Sequence, residues 1–319
     1  MNMRLNSLVV LLFYFMGVIF LSLPCQAADN STYVFLRTDA SARAAGLGGS
    51  FVSIVNDPNG IFVNPAIVGT LEARQISFGF FKNLVDINAG TASYGQNIED
   101  FGWVGGGIQY VNYGSFTQTD ELGNRLGTFT ANDLAITLNY SNLMYENLTY
   151  GINAKFIYSS IAEYTSTAVG FDIGFLYNIP DKLLTLGVSA TNIGRQTKSY
   201  ISTNENLPFD ISIGISKKLE HLPLLLNINF HQLNYAENSF IDRFKSFSLG
   251  GEFSLSSVVK LRVGYNNQRR QDLKLGTSAG MAGFSLGGGI LVKGYMVDYA
   301  YNSFGAVGAT HRISISTSF

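Results

Sequence analysis

Cysteine is almost absent from the chain. Cys25 is the only one in 319 residues, and it stands just past an N-terminal apolar run. A disulfide framework and a cysteine metal site are both excluded for the rest of the chain. Histidine is nearly as scarce: His221, His231 and His311 fall on separate strands or turns without ligand spacing, so no metal is expected. Charged residues make up 13%, against about 25% in ordinary soluble domains. The net charge of −1 offers no broad basic surface, so no nucleic-acid partner is expected. No Gly-x-Ser-x-Gly elbow is evident, and neither Gly46-Leu47-Gly48-Gly49 nor Gly287-Gly288-Gly289 carries the Lys-Ser/Thr ending of a phosphate loop. The chain therefore reads as a non-enzyme without a cofactor. A barrel-embedded hydrolase using His231, near Asn229 on a polar face, stands third among the readings below.

The one long apolar run, Leu8 to Leu23, follows Arg4 and leads into Pro24-Cys25-Gln26-Ala27-Ala28. A basic start, an apolar stretch and a small residue at the cut predict a signal peptide over 1–27, which takes Cys25 with it on cleavage. Nothing after Leu23 approaches the roughly 20 apolar residues of a spanning helix.

Glycine is abundant, at 34 residues, as are Tyr and Phe, at 17 and 24. Their arrangement is periodic. In Val169–Ile179, Val169, Phe171, Ile173, Phe175, Tyr177 and Ile179 share one face of an extended strand. Gly170, Asp172, Gly174 and Asn178 share the other, and Leu176 breaks the pattern. Large apolar residues opposite small or polar ones suit a strand between lipid and a polar interior. The alternation recurs along 72–319 in roughly fourteen strands. Links after odd strands include long polar ones near 113–127, 194–207, 234–242 and 266–277, whereas links after even strands are tight, as at Pro180-Asp181. Outer-membrane barrels sort their loops in this way. The reading is an all-β transmembrane antiparallel barrel of about 14 strands, in the lipid of a Gram-negative outer membrane.

Residues 28–71 differ from the rest and are read as a hatch within the lumen. Asp39 to Gly46 predicts a short helix capped by Thr38 or Asp39, and Asn56-Asp57-Pro58-Asn59-Gly60 and Asn64-Pro65-Ala66 mark breaks. Arg43, Asp57, Asn64 and Pro65 are expected to hold this hatch against the wall. Asp133, Lys155, Asp172, Glu252, Arg262, Asp298 and Arg312 fall on predicted inward faces, either as a charged pore or as ion pairs filling a closed lumen. Partner contacts are expected on the 113–127 and 194–207 loops, at Asp120, Glu121, Arg125, Tyr200 and Asn204.

Ala42-Arg43-Ala44-Ala45-Gly46-Leu47-Gly48-Gly49, Asn56-Asp57-Pro58 and Asn64-Pro65-Ala66 resemble the opening of the PorV/PorQ family. Arg269-Arg270-Gln271, Gly283-Phe284-Ser285-Leu286-Gly287, Asp298-Tyr299-Ala300-Tyr301 and Gly308-Ala309-Thr310-His311-Arg312 are similar to its ending, and Phe319 is similar to the aromatic last residue of outer-membrane barrels. The resemblance implies a fourteen-stranded barrel related to the FadL fatty-acid transporters, with an N-terminal hatch. It also implies a place in type IX protein secretion or surface attachment, docking protein partners of that complex. The alternative is a FadL-like transporter of hydrophobic small molecules, which needs an apolar pocket behind the hatch. The predicted inward faces, mostly Gly, Ser, Thr, Asn and charge, weigh against such a pocket.

Overall fold

The computed structural model describes residues 31–82, 87–235, 240–274 and 280–319. The expected signal peptide over 1–27, with Cys25, lies outside the described residues. So do parts of the links expected at 234–242 and 266–277. Among the described residues no helix is long and apolar enough to cross a membrane.

Fourteen strands follow one another: β1 (Gln75–Lys82), β2 (Asn88–Ile98), β3 (Gly102–Thr119), β4 (Arg125–Tyr145), β5 (Leu148–Ile161), β6 (Tyr164–Ile179), β7 (Leu184–Lys198), β8 (Asp210–Lys218), β9 (Leu224–Phe230), β10 (Phe247–Ser254), β11 (Val259–Asn266), β12 (Phe284–Val292), β13 (Tyr295–Ser303) and β14 (Ala309–Ser318). Each pairs antiparallel with the next, and β1 closes on β14, with Phe78 opposite Ile315 and Gln75 opposite Ser318. Closure matters because lipid cannot hydrogen-bond a free strand edge.

Burial runs inside out relative to a soluble sheet. Along β6, Val169, Phe171 and Ile173 are exposed at 45%, 47% and 37%, while Asp172 between them is fully buried. The same inversion holds on β5, where Ile152 and Phe156 are exposed and Asn153 and Lys155 buried, and on β14, where Ile313 and Ile315 flank buried Ser314. The large apolar side chains therefore form the outer surface and the polar ones line the lumen. Leu176 points inward and packs on Ala66 and Ile67 of the hatch. It breaks the alternation because it has an apolar partner inside.

The strands begin at Gln75, three residues after the expected start. The 113–127 segment is not a loop. β3 and β4 run on as a hairpin with a short turn at 120–124, pairing Phe116 with Phe129, whose rings stack 5.3 Å apart. At 18 and 21 residues these strands exceed the roughly 9–11 that cross a bilayer. β2 stops opposite Asn112 and β5 opposite Ala131, so the excess projects beyond the ring as a ribbon exposed on both faces. Its Thr- and Phe-rich, proline-free sequence favours continued strand over irregular loop. Likewise β7 reaches Lys198, leaving 199–209 as the link to β8.

If lipid surrounds the outer face, Phe171→Arg near the centre of β6 lowers barrel stability by about 2–4 kcal/mol. Urea titration of the folded band on unheated gels measures this. A change within about 0.5 kcal/mol, as at the exposed surface of a soluble protein, would refute the assignment of that face.

Candidate functional site

Residues 31–71 lie inside the ring of strands. They form little regular structure: a 3-10 turn at Val34–Arg37, the short helix α1 (Ala42–Gly46), and 3-10 turns at Pro58–Phe62 and Pro65–Thr70. Two of these turns follow an Asx-Pro pattern. Asp57 accepts from Asn59 N at 2.9 Å and Asn64 from Ala66 N at 3.1 Å, each with proline in the first turn. A side-chain acceptor satisfies an otherwise orphaned amide, and proline has none to satisfy. The cap of α1 is Ser41, whose Oγ accepts from Ala44 N at 3.1 Å, rather than Thr38 or Asp39. Asp39 is drawn away to Arg269, at 3.1 Å.

So irregular a segment leaves backbone carbonyls unpaired, and the wall supplies donors to them. Asn153 Nδ2 donates to Ile61 O at 2.8 Å, Asn302 Nδ2 to Ala45 O at 2.9 Å, Asn139 Nδ2 to Pro65 O at 3.2 Å and Thr91 Oγ1 to Ala40 O at 2.7 Å. Asn64 of the hatch returns the contact, donating to Phe175 O at 3.2 Å. The hatch lies close to the wall where the wall has glycine. A Cβ on Gly174 would fall 1.9 Å from Asn64 Oδ1, and one on Gly151 would fall 2.3 Å from the Pro65 carbonyl carbon.

Charge holds the same assembly. Arg43 on α1 forks onto both carboxylate oxygens of Glu252 on β10 at 2.9 Å and reaches Asp57 at 3.1 Å. Arg262 on β11 joins Glu252 and Asp298 at 2.6 Å each. A second buried pair lies across the lumen, Lys155 with Asp172 at 2.8 Å. Lys155 also donates to Asn192 Oδ1 at 2.8 Å, and Asn192 N donates to Asp172 at 2.7 Å from a left-handed bulge with φ of 59°. Asn tolerates that conformation better than most residues. Asp133 accepts from Tyr113 at 2.7 Å and from Ser159.

A cavity of about 460 Å³ lies between the hatch and the β7–β11 side of the wall, at the end carrying the odd-numbered links. In an outer-membrane barrel this end is external. The hatch gives the cavity Val34, Leu36, Phe62 and Val63; Thr191, Ser212, His231 and Asn266 face it from the wall, and Gln268, Arg269 and Leu273 from the link after β11. The helix α2 (Asn267–Asp272) in that link carries Arg269-Arg270-Gln271. His231 is held by two hydroxyls, Ser212 at 3.2 Å and Ser248 at 2.8 Å. Opposite, around β1–β6, the outer lumen is filled by Tyr33, Phe35, Leu36, Phe81, Val111, Ile157 and Leu207.

The expected residues thus separate into groups. Arg43, Asp57 and Asp298 meet in one network, Asn64 and Pro65 sit against β5 and β6, and Arg312 lines the cavity. On the loops, Glu121, Arg125 and Asn204 are exposed. Asp120 instead shapes the ribbon turn, accepting from Asn124 N and Nδ2 at 2.8 Å, and the Asn124 amide holds its carboxyl below the usual range. Tyr200 is half-buried and donates its hydroxyl to Ser159 on β5. Asp39 and Arg269 are not among the expected site residues, and His231 is expected only in the hydrolase reading. The one available signal was a pair of arginines in a link between strands.

Removing the Arg43 charge tests the network. Arg43→Met leaves Asp57 and Glu252 short of a partner and lowers stability by about 3 kcal/mol. Arg43→Met combined with Glu252→Leu loses less than the sum of the two single changes. Unfolding in detergent measures both, and strict additivity would rule out the coupling.

No protein-family model matches the chain, and no curated protein matches it significantly. Solved structures do. The toluene transporter TbuX of Ralstonia pickettii is 13% identical with a TM-score of 0.59, covering 90% of this chain and 100% of its own. A FadL homologue of Pseudomonas aeruginosa is 11% identical at 0.55, covering 88% and 98%. The toluene transporter TodX of Pseudomonas putida is 13% identical at 0.55, covering 86% and 96%. The PorV/PorQ resemblance remains a reading of the two chain ends, whereas the fold of the chain is that of FadL-like outer-membrane barrels.

Proposed function

We propose that this barrel carries small, poorly water-soluble molecules across the outer membrane. The cavity behind the outer face of the hatch supports this most directly. Its size lies within the roughly 300–1,000 Å³ of ligand pockets. By sequence, the polarity of the inward strand faces weighs against such a cargo. Many of those Asn, Ser and Thr side chains are engaged by hatch backbone, and the hatch itself supplies apolar lining at Val34, Leu36, Phe62 and Val63. Toluene transporters of the same fold agree with this reading. Filling of the lumen by residues 31–71 argues against an open pore for hydrophilic solutes.

The ribbon of β3 and β4 supports a second reading, the docking of protein partners implied by the PorV/PorQ resemblance and type IX secretion. It carries Glu121 and Arg125 beyond the ring and leaves most of its backbone edges without a strand partner among the described residues. Such edges accept an added strand.

The two readings separate in one experiment. Expression of the full chain in a Gram-negative host raises uptake of radiolabelled toluene several-fold and leaves uptake of a hydrophilic sugar unchanged. Deletion of 115–130 leaves the toluene gain intact. Equal toluene uptake with and without the barrel would overturn the carrier reading.

A further inference from the structure

The buried cations of the lumen are not equally compensated. Arg43, Lys155 and Arg262 each have a carboxylate within 3.1 Å. Arg312 on β14 has none within ion-pair distance among the described residues, although it is only 4% exposed. Its guanidinium lies 4.0 Å over the Phe81 ring and donates to the backbone carbonyl of Asp39, and its Nε has no hydrogen-bond partner. Arg269 stands at the same wall, 5.3 Å over Phe304. Its Nη2 bonds the Asp39 carboxylate and its buried Nη1 bonds nothing. Two guanidiniums thus share a single carboxylate, and both border the cavity. The other cavity acids are engaged elsewhere. Asp210 accepts from Gln232 N at 2.7 Å and Asp272 from Gln268 at 2.8 Å, and neither pairs with Arg269 or Arg312. A buried charge without a counter-charge is costly, and an unsatisfied buried donor calls for an explanation.

We propose that the cavity is a binding site for a compact organic carboxylate, its anionic group received by Arg312 and Arg269 and its apolar body lying against the hatch. The proposal rests on the carrier reading and narrows it from neutral hydrocarbons to small acids. The guanidinium fork matches a carboxylate geometrically, and Val34, Leu36, Phe62, Leu273 and Phe304 provide an apolar surface that a bare inorganic anion would not use. Asp39 pairs with Arg269 through Nη2 and forms no ion pair with Arg312.

Calorimetric titration of the purified full-length barrel in detergent with benzoate, toluene and inorganic phosphate tests the site. Benzoate is expected to bind at least tenfold more tightly than either of the others. Arg312→Gln should weaken benzoate at least tenfold while leaving toluene within about twofold, and Arg312→Lys should fall between. A merely structural arginine would move both ligands together, so a parallel loss would overturn the assignment. So would phosphate binding as well as benzoate, or benzoate binding unchanged in Arg312→Gln. Toluene binding without benzoate binding would refute the carboxylate site and leave the carrier reading standing, whereas binding of neither would remove both.

Discussion

An irregular backbone enclosed in a ring of strands must have its polar groups satisfied there, and most of this molecule follows from that demand. The wall meets its own requirement by closing β1 onto β14. The hatch cannot, because its helix and turns leave carbonyls without internal partners. Asn139, Asn153, Asn302 and Thr91 satisfy them from four different strands. Polarity on the inward faces is therefore the complement of a particular inserted segment, and Gly151 and Gly174 allow that segment to lie against the wall.

Charge refines the same complement. Arg43 comes from the hatch, Glu252, Arg262 and Asp298 from β10, β11 and β13, so one network ties three strands to the inserted helix. Each ion of this network has opposite charge within contact distance, which makes it a fastening rather than a pathway. Filling a lumen with paired ions and filling it with apolar side chains are alternative ways of excluding water. The chain uses the second at its outer end, around Tyr33, Phe35 and Val111.

The fold was legible because lipid enforces a simple rule on each strand. Val169, Phe171 and Ile173 could only face acyl chains if Asp172 faced inward, and the period of two displays that choice without reference to any distant residue. Loop parity was legible for a similar reason. The reach of β3 and β4 was not, since the polar 113–127 segment reads as a link, and a ribbon outside the membrane needs no alternation and gives no periodic signal. The inward charges were visible individually but their partners were not, because Arg43 and Glu252 are 209 residues apart and meet only through insertion of the hatch. Tyr200 shows the same limit: a polar link between strands looks external until a serine on β5 draws it inward.

The cavity was hidden for a further reason, which also bears on how it works. None of its walls is apolar by strand pattern; most of its apolar lining comes from Val34 and Leu36 on one hatch turn and Phe62 and Val63 at the end of another, with Leu273 and Phe304 added from two links between strands. The segment that blocks the lumen is thus the segment that shapes the chamber. Asp39 concentrates this double role, since its carboxylate holds Arg269 and its carbonyl receives Arg312. A group entering between those arginines must share donors with the residue that fastens the outer edge of the hatch. By contrast, the Arg43 network fastens the hatch through residues that do not border the cavity. Occupancy of the chamber and seating of the hatch are therefore linked at Asp39, and at the opposite fastening they are not.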